Sequence, residues 1–159
     1  MAIWGNAMKK TFALILAACC LFSACGAAPE ETVKLDLAQV YTDMAAATDE
    51  TMSHIQTDWL FDMYGIDPAD CKECYVYSFN SGIMAAEIWL IEAASPEALA
   101  RLKTLAETRL SALDNQSASY SPQLNEIVKK AQVIVRGDYL AMILSSNVEA
   151  LAEIFNNAG

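Results

Sequence analysis

The chain has 159 residues and a formal net charge of −10 at pH 7, which predicts one folded domain once any targeting segment is set aside. A charge this negative argues against nucleic acid, or an anionic membrane surface, as a direct partner. The hydrophobic fraction is 55%, above the roughly 45–50% of average soluble domains. Part of this excess is local, because residues 11–24 read TFALILAACCLFSA and contain no charged side chain.

Residues 1–24 are predicted to form a signal peptide. Lys9 and Lys10 precede the apolar run 11–22, and small residues follow it, which is the arrangement of a secretory signal. The run is too short for a membrane-spanning helix. The natural start is left open between Met1 and Met8, since either one keeps the whole signal.

The cleavage site of this signal resembles that of bacterial lipoproteins, in which a cysteine receives a diacylglyceryl group and becomes the first mature residue. The sequence LAAC at 16–19 fits the usual motif well, but it leaves only residues 11–16 as the apolar region, fewer than the ~7 that are required. The alternative lipobox, Phe22–Cys25, has Phe where Leu is usual and follows a twelve-residue run. We therefore expect Cys25 to be the lipid acceptor, and a plain secreted protein or an uncleaved anchor is the alternative.

The expected location follows from this anchor. Residues 25–33 are expected to be a short linker and residues 34–159 a single α+β domain. Two acyl chains give stable membrane attachment, and the seven linker residues 26–32 span at most about 25 Å. The protein is thus expected to be exported and held at the outer face of the cytoplasmic membrane by its lipid. Apart from the diacylglycerol on Cys25, no cofactor is expected.

The first half of the domain is predicted to contain two helices and a hairpin. Apolar residues recur at helical spacing over Val33–Thr48 and over Glu50–Tyr64, which predicts two amphipathic helices. The apolar side of the second is predicted to consist of Met52, Ile55, Trp59 and Met63. Gly65 is a plausible helix stop, and Asp67-Pro68 opens a short turn. The segments Cys74–Phe79 and Ala86–Ala93 are rich in aromatic and β-branched residues, which predicts two strands. The turn sequence Asn80-Ser81-Gly82 joins them.

The second half repeats this order. Ser95-Pro96-Glu97 and Ser121-Pro122 are typical helix starts. Gln132–Arg136 and Tyr139–Ser145 are predicted strands, and the two-residue loop Gly137-Asp138 between them indicates a tight hairpin. Asn147 is predicted to cap a final helix. The resulting order, α-α-β-β-α-α-β-β-α, predicts an α+β fold with a four-stranded, mainly antiparallel sheet of two hairpins and helices packed on one face.

The chain resembles a family of small bacterial lipoproteins, domain-of-unknown-function family 4358, over roughly residues 35–157. The resemblance rests on five segments: MYGID (63–67), AAEIWLIE (85–92), ETRL (107–110), YSP (120–122) and VIVRGDYLAMILS (133–145). It implies a lipoprotein signal and a source among Gram-positive bacteria, mainly gut-dwelling ones. The family has no agreed activity, so the resemblance implies no functional residue. Cys71 and Cys74 are not part of the family pattern.

Cys71 and Cys74 form the only motif typical of redox or metal sites. Thiols at C-x-x-C spacing can approach each other, and a neighbouring cation can lower a thiol pKa. Zinc, however, usually takes four ligands, and the chain adds only one histidine, His54. A thioredoxin-type pair would follow a strand and open a helix, whereas this pair precedes a strand. A structural disulfide, two unpaired thiols, and redox or metal chemistry all remain open.

The remaining polar candidates are weaker. His54 is predicted to be a surface or capping residue, and the chain has no G-x-S-x-G motif for a hydrolase. The carboxylate pairs Glu87 with Glu92 and Asp58 with Asp62 are expected by chance at this acidity. Glu87 is interpreted as an exposed strand acid, or else as an ion-pair partner of Arg109 or Arg136.

Aromatic residues are concentrated in the predicted strands, namely Tyr75, Tyr77, Phe79, Trp89 and Tyr139. They form a binding face for sugar or peptide only if the helices leave one face of the sheet open; otherwise we expect them to split between core and edges. The preferred interpretation is a non-enzymatic, surface-anchored lipoprotein that serves as a binding or accessory module. The alternative is an envelope thiol–disulfide or metal-binding protein that uses Cys71 and Cys74. No complete set of metal ligands is predicted.

Overall fold

A computed structural model of the chain describes residues 34–81 and 84–159. The predicted signal peptide at 1–24, the lipid acceptor Cys25 and the rest of the predicted linker at 25–33 lie outside the described residues. So does Gly82 of the predicted turn. Within the described part, no helix is both long and apolar enough to cross a membrane.

The described residues form five helices and five strands in an irregular order. The helices are α1 (Leu37–Ala46), α2 (Thr57–Tyr64), α3 (Pro96–Ser117), α4 (Pro122–Lys130) and α5 (Val148–Asn157), and a single 3₁₀ turn spans Pro68–Asp70. The strands are β1 (Ser53–His54), β2 (Cys71–Asn80), β3 (Ala85–Ala93), β4 (Gln132–Arg136) and β5 (Tyr139–Leu144). The order along the chain is therefore α-β-α-β-β-α-α-β-β-α.

The strands form one antiparallel sheet in the spatial order β1-β2-β3-β5-β4. The α+β class and the two hairpins, β2-β3 and β4-β5, are confirmed. The prediction of four strands and of a helix from Glu50 is wrong, because residues 53–54 add the short edge strand β1 and helix α2 begins only at Thr57. Ile55 continues the pairing with β2 by donating its N–H to the Val76 carbonyl at 2.8 Å.

Helices cover both faces of the sheet, so the prediction that they pack on one face is also wrong. Ile88 and Leu90 of β3 belong to the apolar cluster of α1 and α5, whereas Trp89 and Ile91 belong to that of α2 and α3. Successive side chains of a strand point to opposite faces, and β3 is almost entirely buried on both. We call the two sides the α1/α5 face and the α2/α3 face. Helix α4 packs against Leu144, the last residue of β5, at the edge of the α2/α3 face.

Local sequence signals set several element ends. Ser95 and Ser121 cap α3 and α4, accepting hydrogen bonds from the backbone N–H three residues later. Gly65 ends α2 with a left-handed φ of 74°, a conformation that glycine adopts without steric cost. Asn147 occupies the cap position of α5, but its side chain makes no capping bond and instead donates to the Ala47 carbonyl at 2.6 Å.

Candidate functional site

Cys71 and Cys74 lie on the same face of the sheet because a β-bulge interrupts β2 between them. Cys71 is opposite Ala93 and Cys74 is opposite Ile91, with a shift in register between Cys71 and Glu73. In a regular strand, residues three apart point to opposite faces, and the extra residue of a bulge changes that alternation. Both thiols consequently pack against the apolar cluster of the α2/α3 face. The C-x-x-C spacing was visible in the sequence, but the bulge was not.

The two thiols are free and lie on the same face of the sheet. Interaction with Cys74 lowers the pKa of Cys71, against the opposing effects of its burial and of the carboxylates of Asp70 and Asp67. Interaction with Cys71, together with burial, strongly raises the pKa of Cys74. Cys71 donates its S–H to the Asp67 carbonyl oxygen, with 3.7 Å between Sγ and the oxygen. Of the two thiols, Cys71 thus has the lower pKa.

Two sets of ion pairs surround the cysteine pair. Arg101 of α3 donates from Nε to Asp70 Oδ2 at 3.0 Å, and its guanidinium holds the pKa of that carboxyl below its usual value. Lys72, in the bulge, reaches Glu92 Oε1 at 3.0 Å and Asp138 Oδ2 at 3.4 Å. The cations nearest in sequence to the cysteines are therefore already paired with carboxylates, so the setting of the thiols is acidic.

The other predicted polar residues are not brought to the thiols as a ligand set. Among residues 34–81 and 84–159, no group of three or more His, Cys, Asp or Glu side chains is arranged to hold a metal ion. His54 is exposed on β1, as predicted, and its ring centroid lies 5.0 Å from that of Tyr77. Asp58 and Asp62 are exposed on α2.

Glu87 forms a buried ion pair with Arg109 on the α2/α3 face. Glu87 is 2% exposed, and Arg109 Nη2 lies 2.9 Å from its Oε2. Trp89 donates from Nε1 to Glu87 Oε1 at 2.8 Å. The prediction of an exposed strand acid is wrong, whereas the alternative partner Arg109 is confirmed; Arg136 instead binds carbonyl oxygens at the end of α5. Glu92 points to the opposite face, so the two glutamates do not form a pair.

The Glu87 pair is enclosed by aromatic rings. Arg109 Cζ lies 5.4 Å from the centroid of the Tyr64 ring, and that ring meets Trp89 edge to face at 5.7 Å. Burial raises the pKa of Tyr64, and a hydrogen bond with the Ser78 side chain partly offsets this. Both oxygens of the Glu87 carboxylate are engaged. The cluster thus joins β2, β3, α2 and α3, and it is arranged for cohesion rather than for acid–base chemistry.

The aromatic strand residues divide between the two faces, as the sequence favoured. Trp89 and Tyr139 are buried on opposite faces. Tyr75 and Tyr77 are partly buried on the α1/α5 face, and the Tyr77 ring stacks on Tyr41 of α1 at an interplanar angle of 5°. The aromatic residues of the described strands therefore do not all share one face of the sheet.

The outer surface of α2 is the most concentrated exposed apolar surface in the described part of the chain. Three large apolar side chains within five residues are more than half exposed: Trp59 at 57%, Phe61 at 60% and Met63 at 53%. The predicted helix placed Trp59 and Met63 on its buried side, which is wrong; Leu60 and Tyr64 point inward instead. Leu60 with Tyr64 and Trp59 with Met63 are both one turn apart, so spacing within the helix does not distinguish the buried side.

Comparison with known proteins gives one match. The family model described as Domain of unknown function (DUF4358) matches residues 45–145, which span β1 to β5 with all of α2, α3 and α4. Both cysteines, the Glu87–Arg109 pair and the outer surface of α2 lie inside the matched segment. No significant match was found among curated proteins or among solved structures.

Proposed function

Because the chain belongs to the DUF4358 family, whose description names no activity, we propose a function from its own residues. We propose that the protein is a lipid-anchored, non-enzymatic binding module that is exported and held at the outer face of the cytoplasmic membrane. The anchor and the binding surface rest on separate parts of the chain. Each part therefore has its own test.

The anchor is Cys25. Its support is the apolar run 11–22 that follows Lys9 and Lys10, the Phe22–Cys25 lipobox and the polar residues after it. In the producing bacterium, labelled palmitate is expected to enter the full chain. Cys25→Ala should abolish the label, and Cys19→Ala, the matched control at the competing site, should keep it. Label that survives Cys25→Ala would refute the anchor.

The binding surface is the outer side of α2, and the exposure of Trp59, Phe61 and Met63 is the observation that carries the proposal. Exposed large apolar groups that cluster mark interaction sites more often than scattered ones. Tryptophan in particular is enriched among the residues that dominate binding energy. Trp59 and Met63 are one helical turn apart, so they share one side of the helix.

The partner is a protein with an apolar groove bordered by Lys or Arg. The charged residues of α2 are Asp58 and Asp62, both exposed. By helical spacing they lie on the outward side, between Phe61 and the side shared by Trp59 and Met63. Charge complementarity at an interface favours the matching partner and excludes those of like charge. The same two carboxylates disfavour insertion of α2 into an anionic lipid surface.

Photo-crosslinking in intact cells tests this surface. A benzophenone amino acid is placed at Phe61 or, as the control, at Tyr120, an exposed aromatic residue outside α2. We expect a protein crosslink from position 61 only, attached next to Lys or Arg of the partner, and its loss with Asp58→Lys, Asp62→Lys. Crosslinks to lipid alone, equal crosslinks from both positions, an attachment site without basic neighbours, or no crosslink would each contradict the proposal.

A further inference from the structure

We propose that Cys71 and Cys74 form a reversible dithiol–disulfide pair, in which Cys71 attacks a small disulfide and Cys74 resolves the product. The site is independent of the surface of α2 and of the lipid anchor. It gives the domain an exchange chemistry in addition to binding. Its reacting partner is a low-molecular-weight disulfide, preferably a cationic one.

The β-bulge in β2 is the structural basis of the pair. It places Cys71 opposite Ala93 and Cys74 opposite Ile91 on the same side of the sheet. The two side chains therefore reach the same apolar cluster from neighbouring positions on one face of the sheet. Because both thiols lie on the same face, formation of the disulfide requires no transfer of a thiol across the sheet. Both are also only partly buried.

The two sulfurs differ in access and in charge state. Cys74 is the more deeply buried of the two, and its pKa is raised whereas that of Cys71 is lowered. Cys71 is the first residue of β2 and directly follows the 3₁₀ turn Pro68–Asp70. Since the thiolate is the attacking species, the more accessible sulfur with the lowered pKa is the one that meets an external disulfide.

The exchange proceeds in two balanced steps. Ionised Cys71 attacks one sulfur of RS–SR, so that the S–S bond breaks, Cys71–S–SR forms and RS⁻ leaves. Cys74 then gives its proton, directly or through water, to the released RS⁻, and its thiolate attacks the Cys71 sulfur; the Cys71–Cys74 disulfide forms and the second RS⁻ leaves and takes a proton from water. The two thiols are oxidised, and the external disulfide is reduced to two thiols.

The charge around the pair favours a cationic disulfide. Asp67 and Asp70 lie close enough to Cys71 to disfavour its ionisation, and the whole chain carries a net charge of −10. An anionic disulfide meets repulsion from this field, whereas a cationic one is attracted to it. Cystamine, a small disulfide with two ammonium groups, is therefore the probe.

The experiment maps the cysteines of the reduced full chain after incubation with cystamine at about pH 8, where thiolates form readily. The remaining thiols are blocked with N-ethylmaleimide, and the chain is digested with trypsin without reductant. Cleavage after Lys34, Lys72 and Arg101 leaves Cys71 and Cys74 on separate peptides, 35–72 and 73–101. Peptide mapping also keeps them apart from the three N-terminal cysteines.

We expect the two peptides to be joined by a disulfide, and dithiothreitol to release them. A urea-unfolded sample shows that the reagent is active. Cysteamine adducts on both cysteines, or N-ethylmaleimide on both while the unfolded sample reacts, would overturn the proposal. A disulfide that dithiothreitol cannot reduce in the folded chain would overturn its reversibility.

Single variants assign the roles of the two sulfurs. Cys74→Ser is expected to hold a stable cysteamine adduct on Cys71, because the resolving thiol is gone. Cys71→Ser should react at Cys74 at least about tenfold more slowly, since that thiol is more buried and less ionised. Equal rates would overturn the assignment. The Cys→Ala variants provide the same comparison if either serine variant fails to fold.

Discussion

Arg109 of α3 reaches the carboxylate of Glu87 in the middle of β3, with 2.9 Å between Nη2 and Oε2. The Glu87 side chain is 3% exposed and the Arg109 side chain 32%, so the pair lies at the border between the sheet and solvent. Trp89 donates a hydrogen bond to Glu87, and the Tyr64 ring lies against the guanidinium of Arg109. Helix α3 is thereby fixed in register against β3 by a polar contact within an apolar cluster.

Glu87→Gln is expected to destabilise the domain because it leaves the Arg109 charge without its partner. Removal of one member of a buried pair costs about 3–5 kcal/mol, and partial exposure of Arg109 reduces this, so we expect roughly 2–3 kcal/mol in the free energy of unfolding. Urea denaturation measures it. Glu92→Gln, at a more exposed pair with Lys72, is the control and should cost under about 1 kcal/mol.

A double-mutant cycle separates the pair from its surroundings. Arg109→Met alone leaves the Glu87 carboxylate unpaired, and the double variant Glu87→Gln, Arg109→Met removes both charges. We expect a coupling energy of about 1–3 kcal/mol between the two positions. Additive effects of the two single variants would show that the contact contributes no stability of its own.

The Asp70–Arg101 pair predicts a dependence of stability on acid. Arg101 lowers the pKa of Asp70 below its ordinary value of 3.8, so the ionised carboxylate stabilises the fold above that value. The contribution is lost as pH falls through the lowered pKa of the folded state. Arg101→Gln should therefore be less stable than the parent at neutral pH, with a difference that shrinks below about pH 4.

Thermal unfolding of both chains over that pH range gives the comparison. Lys103→Gln is the control, because its partner Glu107 lies on the same exposed helix surface and such pairs contribute little. A difference between Arg101→Gln and the parent that stays constant down to strongly acidic pH would contradict the role of Asp70.

Glu50 connects the loop before β1 to the start of α5. Its Oε1 accepts the N–H of Ser146 at 2.8 Å, and its Oε2 accepts the hydroxyl of the buried Ser145. Glu50→Ala leaves both donors without this acceptor and should cost about 1–3 kcal/mol of unfolding free energy. Asp49→Ala, next to it and exposed, should change little. Equal losses from the two variants would contradict the contact.

Gly65 predicts a backbone effect. Its φ is 74°, and a Cβ there would lie 3.3 Å from Leu105 Cδ1. Gly65→Ala should cost about 1–2 kcal/mol because the left-handed conformation is unfavourable for residues with a Cβ. Gly65→Asn should cost less, since asparagine tolerates that conformation better. Chemical denaturation of the two variants gives the ranking, and an alanine variant as stable as the parent would refute it.

The elements that follow strong local signals were predictable from the sequence. Ser95-Pro96 and Ser121-Pro122 mark the starts of α3 and α4, and Gly137-Asp138 marks the β4-β5 turn with a left-handed φ of 55° at Gly137. Each signal acts within three or four residues of the chain.

The errors arose where tertiary contacts decide. Met52 and Ile55 fit a helical period with Trp59, yet Met52 packs toward the α1/α5 face and Ile55 toward the α2/α3 face. Pairing with β2 makes residues 53–55 extended, and no local sequence signal predicts this pairing. The prediction for Glu87 was wrong for a similar reason. An acid in a strand is usually exposed, and its burial here depends on the ion pair with Arg109, which is distant in sequence.

The cysteine pair shows the same division. Its spacing is a property of the sequence, but the placement of both thiols on one face depends on the bulge, which changes the strand alternation between Cys71 and Glu73. The outer surface of α2 depends on where the helix starts. The cysteine pair was therefore predictable as a residue set but not as an arrangement in space, and the outer surface of α2 was not predicted.

The strand order β1-β2-β3-β5-β4 has a kinetic consequence. β5 lies between β3 and β4, so one hydrogen-bonding edge of β3 stays unpaired until residues 139–144 arrive, after α3 and α4 have been added to the chain. An unpaired apolar strand edge is a template for aggregation, and pairing between segments this far apart in sequence is slow. We infer that the closing of this gap limits the folding rate, and that a chain truncated before Tyr139 is prone to aggregate.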